Sequence, residues 1–576
     1  MSCLPWLTLV VTLAILSVAM LVIYRRWLHP LASIPGPFLA SITNWHDGWR
    51  FMRGGSQEYY LHLHREYGPV VRYGPNSVMI NDPYFLPQIF HRRAEKTSFY
   101  ANNPGLFGVQ KYEDLLNAKH GLAAAFSMAS IKTYEPQVDR YLRVLLDGLM
   151  DSQASISLDT WIGWFTYDVV GCILFGEPIG FLENRQDIHG LVAGTSQAFD
   201  TIDYLARVPK LSWFYRKTYL GRKLFQLSAE YQNGIHILQT ILEGQYDRYR
   251  GAPNSVCGKS QTIFQRLIAS KYADGSLLNA HDVKGEAMQT MMAGSATIAS
   301  ATNRLFNNLI QNPQVLSKLQ HEVGQLRLTE AAHPITFEQA HALPYTNACI
   351  RESFRLTPTI PLFPRTAPLG GLTYNGIYVP EGTAVASSPW ITMKSKFLYG
   401  DDAAVYRPER WLEASPETLK QWDRYEFHWG YGNRLCTGRH LSVMEIYKLT
   451  VELVARFDFW FASDGSKRAR AISPYGNSDT YLGSSAGSPT AVKPKLGCVT
   501  DRYRKIVVNK WRIELSLIFT AGSANLGSEM SIKISVDGDS APGYRRIGLI
   551  GRPGICHASQ HALGYTVAAS IDPSLS

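Results

Sequence analysis

The amino-acid sequence predicts a mainly α-helical fold with a small β region, preceded by one membrane-spanning helix. Residues 4–24 form an uncharged, almost wholly apolar run that is long enough to cross a bilayer. Apolar residues recur with a helical period through much of residues 113–355. Proline, glycine and β-forming residues concentrate in residues 358–385, which favours short strands and turns.

The composition is that of a large globular protein with reduced cysteines. The chain has 576 residues and 45% hydrophobic content, enough for one large core or several smaller ones. Its seven cysteines show neither Cys-x-x-Cys nor zinc-site spacing, so we expect thiols in a reducing compartment. The net charge of +10 suits anionic lipid or an acidic partner. No basic run accompanies a nucleic-acid-binding motif, so we expect no nucleic-acid partner.

The apolar run at the N-terminus predicts a membrane anchor over residues 1–26. Arg25 and Arg26 follow the run and no charged residue precedes it, which predicts a lumenal N-terminus and a cytosolic body. A cleaved signal peptide is the alternative, with Ser17-Val-Ala19 as its cleavage site. That site lies inside the run and the basic leader is missing, so we favour the uncleaved anchor.

The body of the protein follows a stiff connector. Residues 27–37 contain three prolines and a glycine and predict a non-helical hinge. Residues 38–461 form the predicted catalytic domain. Within it the pattern predicts a helix over residues 57–66, a hairpin from residues 70–75 and 77–80, and a buried central helix over residues 277–310.

The segment Trp429-Gly-Tyr-Gly-Asn-Arg-Leu-Cys-Thr-Gly438 has the features of a loop that ligates a haem iron. It sets Cys436 among glycines, which allow the backbone to approach a flat macrocycle closely. A helix-favouring run over residues 441–457 follows, and a helix N-terminus helps to stabilise a thiolate. Arg434 is placed to pair with a haem propionate.

Further motifs precede this loop in the order Glu352-Ser-Phe-Arg355, Pro361-Leu-Phe-Pro-Arg365 and Tyr406-Arg-Pro-Glu-Arg-Trp411. In that order they resemble the cytochrome P450 haem-thiolate family over roughly residues 30–460. The resemblance implies the P450 fold and a buried cluster of Glu352, Arg355 and Arg410. It also implies haem b with Cys436 as axial ligand, and contacts of Arg365 and Arg434 with the propionates.

The resemblance implies a monooxygenase that oxidises a lipophilic small molecule, in secondary metabolism, with O2 and NADPH. The resemblance also implies NADPH–cytochrome P450 reductase as the electron donor, with cytochrome b5 as an accessory donor. No Gly-x-Gly-x-x-Gly loop is present, so we do not expect the chain to supply its own electrons. We expect a docking face for this reductase near the cysteine loop, formed by Arg434, Arg439, His440 and Lys448. The anchor and hinge resemble microsomal members, which implies a single-pass protein of the endoplasmic reticulum.

The sequences of residues 64–72 and 379–383 resemble those of the fungal branch that includes pisatin demethylase and benzoate hydroxylase. We expect the substrate to be selected by residues 101–122, 190–225, 289–300 and 359–366, much of whose sequence is apolar or aromatic. The basic and aromatic residues of the segment 210–225 suit a membrane interface.

Ala293-Gly-Ser-Ala-Thr297 of the central helix resembles the oxygen-activation segment of the family, with Thr297 as the catalytic threonine. Ala296 stands where the family usually has Asp or Glu, so Ser295, Thr297 or a water has to replace the usual proton donor. This departure motivates an alternative, an oxygen-independent isomerase or dehydratase of the same fold. Close helix packing also explains the small residues.

Two further positions depart from the family pattern. Trp429 stands where phenylalanine is usual, and its indole adds a hydrogen-bond donor near the thiolate. Lys119 or His120 takes the place of residues that reach the propionates in related chains. An exposed polar helix position explains either residue equally well.

Residues 462–576 differ in composition from the rest and do not match the C-terminal hairpin of the family. They contain 30 Gly and Ser among 115 residues and supply +6 of the net charge. Short β-like runs occur at residues 505–508, 513–520 and 530–536. We hypothesise that a mistaken exon boundary or a frameshift produced this basic tail. The third alternative is then that the protein is an inactive haem-binding relic. A continuous spliced message that encodes the tail would reject this origin.

Overall fold

The structure is a computed structural model. It describes residues 4–91, 94–101, 125–151, 158–224, 229–250, 262–272, 274–326, 334–461, 490–494, 504–508, 511–518, 529–535 and 547–549. The chain divides into two compact units, Met1–Cys498 and Val499–Ser576.

Helices dominate the first unit. Those up to the middle of the chain are α1 Leu4–Ile23, α2 Phe38–Ile42, α3 Trp45–Met52, α4 Ser56–Tyr67, α5 Leu86–Ile89, α6 Ser98–Ala101, α7 Met128–Asp151, α8 Leu158–Phe175, α9 Phe181–Asn184, α10 Leu191–Arg207, α11 Pro209–Lys217, α12 Tyr219–Leu224 and α13 Ala229–Arg250. The later ones are α14 Ile263–Ile268, α15 Ala280–Gln311, α16 Pro313–Gly324, α17 Phe337–His341, α18 Pro344–Leu356, α19 Pro389–Thr392, α20 Lys396–Tyr399, α21 Arg410–Glu413, α22 Pro416–Arg424 and α23 Arg439–Arg456.

The described strands of the first unit form three small sheets. They are β1 Val70–Gly74, β2 Ser77–Ile80, β3 Phe363–Thr366, β4 Leu372–Tyr374, β5 Ile377–Val379, β6 Ala384–Ser387, β7 Phe457–Phe461 and β8 Thr490–Pro494. A four-stranded sheet has the order β1-β2-β6-β3, in which β2 and β6 run parallel and the other pairs antiparallel. The pairs β4-β5 and β7-β8 are antiparallel two-stranded sheets. The fold class, mainly α with a small β region, is confirmed.

The core of the first unit is built around α8 and α15. Nearly every residue of α8 is buried, because the helix packs between α7 and α15. Gly294 of α15 permits the close approach of these helices: a Cβ atom there would lie 3.0 Å from Cγ2 of Val170. Helix α15 begins after Asn279, whose side chain accepts a hydrogen bond from the Asp282 N–H at 2.9 Å.

The proline-rich hinge packs against the sheet. The Arg72 N–H on β1 donates to the Pro35 carbonyl oxygen at 2.8 Å, and Leu31 and Ile34 are buried. A Cβ atom on Gly36 would lie 2.2 Å from the Arg72 carbonyl oxygen. The hinge is therefore fixed to the body by close packing as well as by its prolines.

The first unit extends beyond residue 461, where the sequence interpretation places the start of the tail. Strand β8 pairs with β7 from Phe457↔Pro494 to Phe461↔Thr490 and contacts α8, so it lies within this unit. The second unit contains a four-stranded antiparallel sheet in the order β12-β11-β10-β9. Its strands are β9 Arg504–Val508, β10 Trp511–Ile518, β11 Glu529–Ser535 and β12 Ile547–Leu549. The first three coincide with the β-like runs of the sequence.

Candidate functional site

Glycines shape the loop that carries Cys436. Gly430 and Gly432 have φ angles of +82° and +60°, in the left-handed region that favours glycine. A Cβ atom on Gly432 would lie 2.7 Å from the Phe90 carbonyl oxygen, so a larger residue does not fit there. The Cys436 N–H donates to the Trp429 carbonyl oxygen at 2.8 Å and closes the loop.

The loop presents the thiol of Cys436 at the start of a long helix. Cys436 is exposed, whereas Cys172 and Cys349 are buried. Helix α23 begins at Arg439, three residues later, and most of its following residues are buried. The positive end of the helix dipole favours negative charge at this place. An accessible sulfur on a rigid loop is what an axial thiolate ligand requires.

The structure brings Glu352, Arg355 and Arg410 together. Nε and Nη2 of Arg355 each donate to one oxygen of the Glu352 carboxylate at 2.8 Å. Nε of Arg410 donates to Oε1 of the same carboxylate at 3.0 Å. Each of the three side chains is at most 1% exposed. Removal of one partner from such a cluster leaves a buried charge uncompensated, at a cost of about 3–5 kcal/mol.

The cluster has members that the sequence interpretation missed. Trp411 Nε1 and the Arg407 backbone N–H also donate to Glu352, at 2.9 and 3.0 Å. Asp402 accepts from Arg410 Nη1 at 3.0 Å and from Arg407 Nε at 2.6 Å. Arg407 and Trp411 belong to a motif already recognised in the sequence, so their proximity to Arg410 was the available signal. Asp402 had no such signal.

Helix α18 connects this cluster with the cysteine loop through Phe354. The Phe354 ring lies 4.7 Å from the His428 ring at an interplanar angle of 31° and 5.3 Å from the Trp429 ring at 72°. Burial lowers the pKa of His428 to about 3, so this imidazole is neutral. These ring contacts connect the helix that carries Glu352 and Arg355 with the first residue of the loop.

Arg365 of β3 is buried beside the cysteine loop, and one of its N–H groups has no hydrogen-bond acceptor among the described residues. Its Nη1 donates to the Tyr100 hydroxyl at 2.8 Å and to the Pro364 carbonyl oxygen at 2.7 Å, while Nε has no partner among the described residues. The guanidinium lies 5.2 Å from the ring of Phe90, whose carbonyl faces Gly432. An unpartnered, buried cationic N–H is suited to an anionic group.

The other residues expected at the propionates are less defined. Arg434 ends a 3₁₀ turn, Gly432–Arg434, and is half-buried. Lys119 and His120 lie outside the described residues, as does most of the segment 101–122, which we expect to help select the substrate.

The small residues of α15 point in different directions. Gly294 faces α8, so it serves the close helix packing. Ala293 is exposed and Thr297 half-buried, and the Thr297 hydroxyl donates to the Ala293 carbonyl oxygen at 2.6 Å. Ala296 is fully buried, as is Ser295, whose hydroxyl donates to the Met291 carbonyl oxygen at 2.7 Å. Thr297 is therefore better placed than Ser295 to meet a ligand.

These residues fit the haem that the resemblance implies. The soft thiol ligand and the unpartnered Nε of Arg365 correspond to its iron and its propionates. Helix α15, which carries Thr297, packs against α23, which follows the cysteine.

Lys448 does not lie on the docking face that we expected for the reductase. The Lys448 side chain is fully buried, and its Nζ lies 2.6 Å from carboxylate oxygens of both Glu135 and Asp139. Lys448 was expected on the surface because of its charge, but α23 is buried along most of its length. Arg439 and His440 are half-buried at the start of that helix and remain candidates.

Comparison with known proteins agrees with this geometry. The family model described as Cytochrome P450 matches residues 35–476. The cytochrome P450 monooxygenase pkfB of Emericella nidulans is 30% identical over 78% of this chain and 90% of its own length. The cytochrome P450 monooxygenase cicH of the same organism is 31% identical over 75% and 89%, and gsfF of Penicillium aethiopicum 28% over 76% and 90%.

Proposed function

The chain belongs to the cytochrome P450 family and is a haem-dependent monooxygenase, and from this premise we propose that it oxidises a lipophilic small molecule of secondary metabolism. The observation that carries the proposal is the exposed Cys436 thiol on its glycine-shaped loop. We assign Cys436 as the axial ligand of the haem. The similarity to fungal monooxygenases supports the assignment to secondary metabolism.

The haem would be held by Cys436 on one face and by cationic side chains at its edge. Arg365 and Arg434 would pair with the propionates, and Lys119 or His120 would add a further contact. A thiolate-ligated haem would supply the activation of O2: with two electrons from the redox partner and two protons, one oxygen atom would enter a C–H bond and the other would leave as water. The cluster of Glu352, Arg355 and Arg410 positions the cysteine loop through Phe354 and does not itself meet the substrate.

Thr297 would hold the proton at the oxygen-binding side. Its hydroxyl now donates to the Ala293 carbonyl oxygen, and a rotation about its side-chain bond would present the same proton to a ligand. Ala296 supplies no carboxylate, so the proton has to reach Thr297 through water.

The test is the absorption spectrum of the reduced, CO-bound protein. We expect a thiolate-type Soret band in the wild type and its loss in Cys436→Ala. The matched control Cys172→Ala removes a buried thiol far from the loop in sequence and should keep the band. Absence of haem from the intact protein would reject the assignment, as would a normal band in Cys436→Ala.

Electron supply is the second part of the proposal. Monooxygenases of this family generally use redox partners, and we propose NADPH–cytochrome P450 reductase, docking near Arg439 and His440. The charge-reversal variant Arg439→Glu should raise the reductase concentration needed for half-maximal turnover and leave the CO spectrum unchanged. The oxygen-independent and relic alternatives gain no support from the comparisons. Product formation without NADPH would revive the first of them.

Among the described residues, one helix is long and apolar enough to cross a membrane: Trp6–Leu28, in which the π-helical turn Tyr24–Leu28 continues α1. It is not buried in the protein. We propose that it anchors the enzyme in the endoplasmic reticulum with the catalytic domain in the cytosol. Exposed apolar residues follow directly in α2 and α3, namely Phe38, Leu39, Trp45, Trp49 and Met52, and would rest on the same membrane surface. Release of the protein from microsomes by alkaline carbonate would contradict a spanning anchor.

A further inference from the structure

A cavity of about 190 Å³ lies beside the proposed haem edge. Apolar and aromatic side chains form most of its wall, and two charged residues of α10 complete it. The lining residues are Phe99, Tyr100, Asp203, Arg207, Ile360, Pro361, Leu362 and Phe363. Tyr100 also accepts a hydrogen bond from Arg365, so the cavity, here called the Asp203 pocket, adjoins the residue assigned to a propionate. It spans two segments expected to select the substrate.

Asp203 and Arg207 of the pocket wall belong to a charged cluster that extends beyond the wall to Asp47, and the charges of this cluster do not balance. Arg207 donates through Nε and Nη2 to Oδ2 of Asp203 at 3.3 and 3.0 Å, and through Nη1 to Oδ2 of Asp47 at 2.9 Å. The other Asp47 oxygen accepts from the Tyr60 hydroxyl at 2.7 Å. One guanidinium thus faces two carboxylates, and the described cluster carries a net charge of −1.

The unbalanced charge falls on Asp203. No described residue donates to its Oδ1, although the side chain is only 1% exposed. Burial raises the pKa of this carboxyl to about 6, and the two charged groups that face it are Arg207 and Asp47. A buried carboxylate with one unsatisfied oxygen is costly unless a donor completes it.

We propose that the Asp203 pocket binds a protonated amine of the substrate, whose N–H donates to Oδ1 of Asp203 while its hydrocarbon part packs against the aromatic wall. An ammonium group fits better than a hydroxyl because it also supplies the missing positive charge. This assignment rests on the proposed monooxygenase function, since it concerns the substrate of the same site.

The size of the Asp203 pocket limits how much of a substrate molecule it can bind. At about 190 Å³ it is smaller than the roughly 300–1,000 Å³ of sites for drug-sized ligands. It therefore holds one end of the molecule and leaves the remainder free to reach the oxidised position. The amine is a positioning group, so its loss should raise KM more than it lowers kcat.

The experiment compares two probes of equal shape by equilibrium dialysis against the full-length holoprotein at pH 7.5. N,N-Dimethyl-2-phenylethylamine is protonated at this pH, and isopentylbenzene is its neutral carbon analogue. We expect the amine to bind about tenfold to a hundredfold more tightly, the range of a charge-assisted hydrogen bond. Asp203→Asn should abolish this preference and leave the affinity for isopentylbenzene unchanged.

Asp47→Asn is the matched control. It removes the same charge from the cluster but does not line the pocket, so it should retain most of the preference for the amine. Equal binding of the two probes by the wild type would overturn the proposal. So would a retained preference in Asp203→Asn, or an equal loss in both variants, which would attribute the effect to net charge alone.

The CO spectrum separates this proposal from the proposed function. A thiolate-type band in each variant shows that it has folded. A wild type without that band would reject the monooxygenase assignment, whereas the ratio of probe affinities needs no turnover and decides independently on the pocket.

Discussion

His428 is a buried imidazole just before the cysteine loop, and neither of its ring nitrogens has a hydrogen-bond partner among the described residues. Its side chain is 5% exposed and stacks on Phe354. Burial, reinforced by the positive charge of Arg351, lowers its pKa from 6.5 to about 3. The imidazole of His428 therefore stays unprotonated in the folded protein at pH values where the same imidazole binds a proton in the unfolded chain.

We predict that His428 makes the protein sensitive to acid. Its contribution to stability is fully present above pH 6.5 and is lost as the pH falls from 6.5 toward 3, because the unfolded chain alone binds the proton. The loss amounts to about 1.4 kcal/mol for each pH unit. His428→Phe keeps the stacking and removes the proton site. Urea unfolding at pH 7.5 and 5.0, followed by tryptophan fluorescence, should show the variant gaining about 2 kcal/mol on the wild type at the lower pH.

Phenylalanine alters the packing at both pH values. The test is therefore how the difference in unfolding free energy between variant and wild type changes with pH. The pKa of Glu426, whose Oε1 lies 3.7 Å from Nδ1 of His428, is raised to about 7 by burial. The comparison is therefore made in a Glu426→Gln background, which removes this titration from both proteins. A stability difference that is the same at both pH values would show that His428 has no such role.

At the scale of elements, the hinge and strand β1 form one packed unit. The contact is between backbones: the Arg72 N–H donates to the Pro35 carbonyl oxygen, and the Arg72 carbonyl oxygen faces the α-carbon of Gly36. The Arg72 side chain lies buried and donates through Nη2 to the Pro75 carbonyl oxygen at 2.7 Å. The direction in which the anchor leaves the body is thus set by backbone packing.

We predict that Gly36→Ala destabilises the catalytic domain. The new Cβ atom would lie 2.2 Å from the Arg72 carbonyl oxygen, and backbone atoms have to shift to admit it. Overpacking of this kind costs about 1–3 kcal/mol, which thermal unfolding followed by the CO-binding fraction should detect.

Gly244→Ala is the matched control. Gly244 is an exposed residue inside α13, and a Cβ atom there meets nothing within 4 Å. Alanine should leave the stability unchanged or raise it by up to about 1 kcal/mol, since it favours the helix. Equal effects of the two substitutions would show that the hinge is not tightly packed.

At the scale of the whole molecule, the compact first unit ends at Cys498. Strand β8 supplies the hydrogen-bonding partner of β7, and Phe459 of β7 lies 4.6 Å from Phe306 of α15. Strand β8 therefore completes a sheet that borders the central helix.

We predict that a chain ending after residue 498 keeps the holoprotein intact, whereas one ending after residue 489 does not. The shorter chain leaves the backbone of β7 without its partner, and unpaired backbone groups in the interior are costly. The measurement is the yield of haem-containing protein with a thiolate-type CO band. Equal yields from the two truncations would mean that β8 is dispensable.

The sequence predicts which residue types form the candidate site far better than it predicts which residues contact one another there. Cys436, Glu352 and Arg365 were predicted from the sequence because residue type and order along the chain single them out. Asp402 and Phe354 were missed, since nothing in the sequence marks them as neighbours of the cluster and of the loop. Lys448 was placed on the surface because charge alone does not reveal that its side chain is buried against the carboxylates of Glu135 and Asp139.

By itself, the sequence determined the helical class, the N-terminal apolar helix and the cysteine loop, because local period, length and glycine spacing act within short segments. Tertiary structure decided which face of α15 meets α8 and which carries Thr297. It also decided the composition of the Asp203 pocket, where Arg207 meets Asp47 from 160 residues away. Such contacts arise when the chain packs, so they depend on the relative placement of whole elements and not on any local pattern.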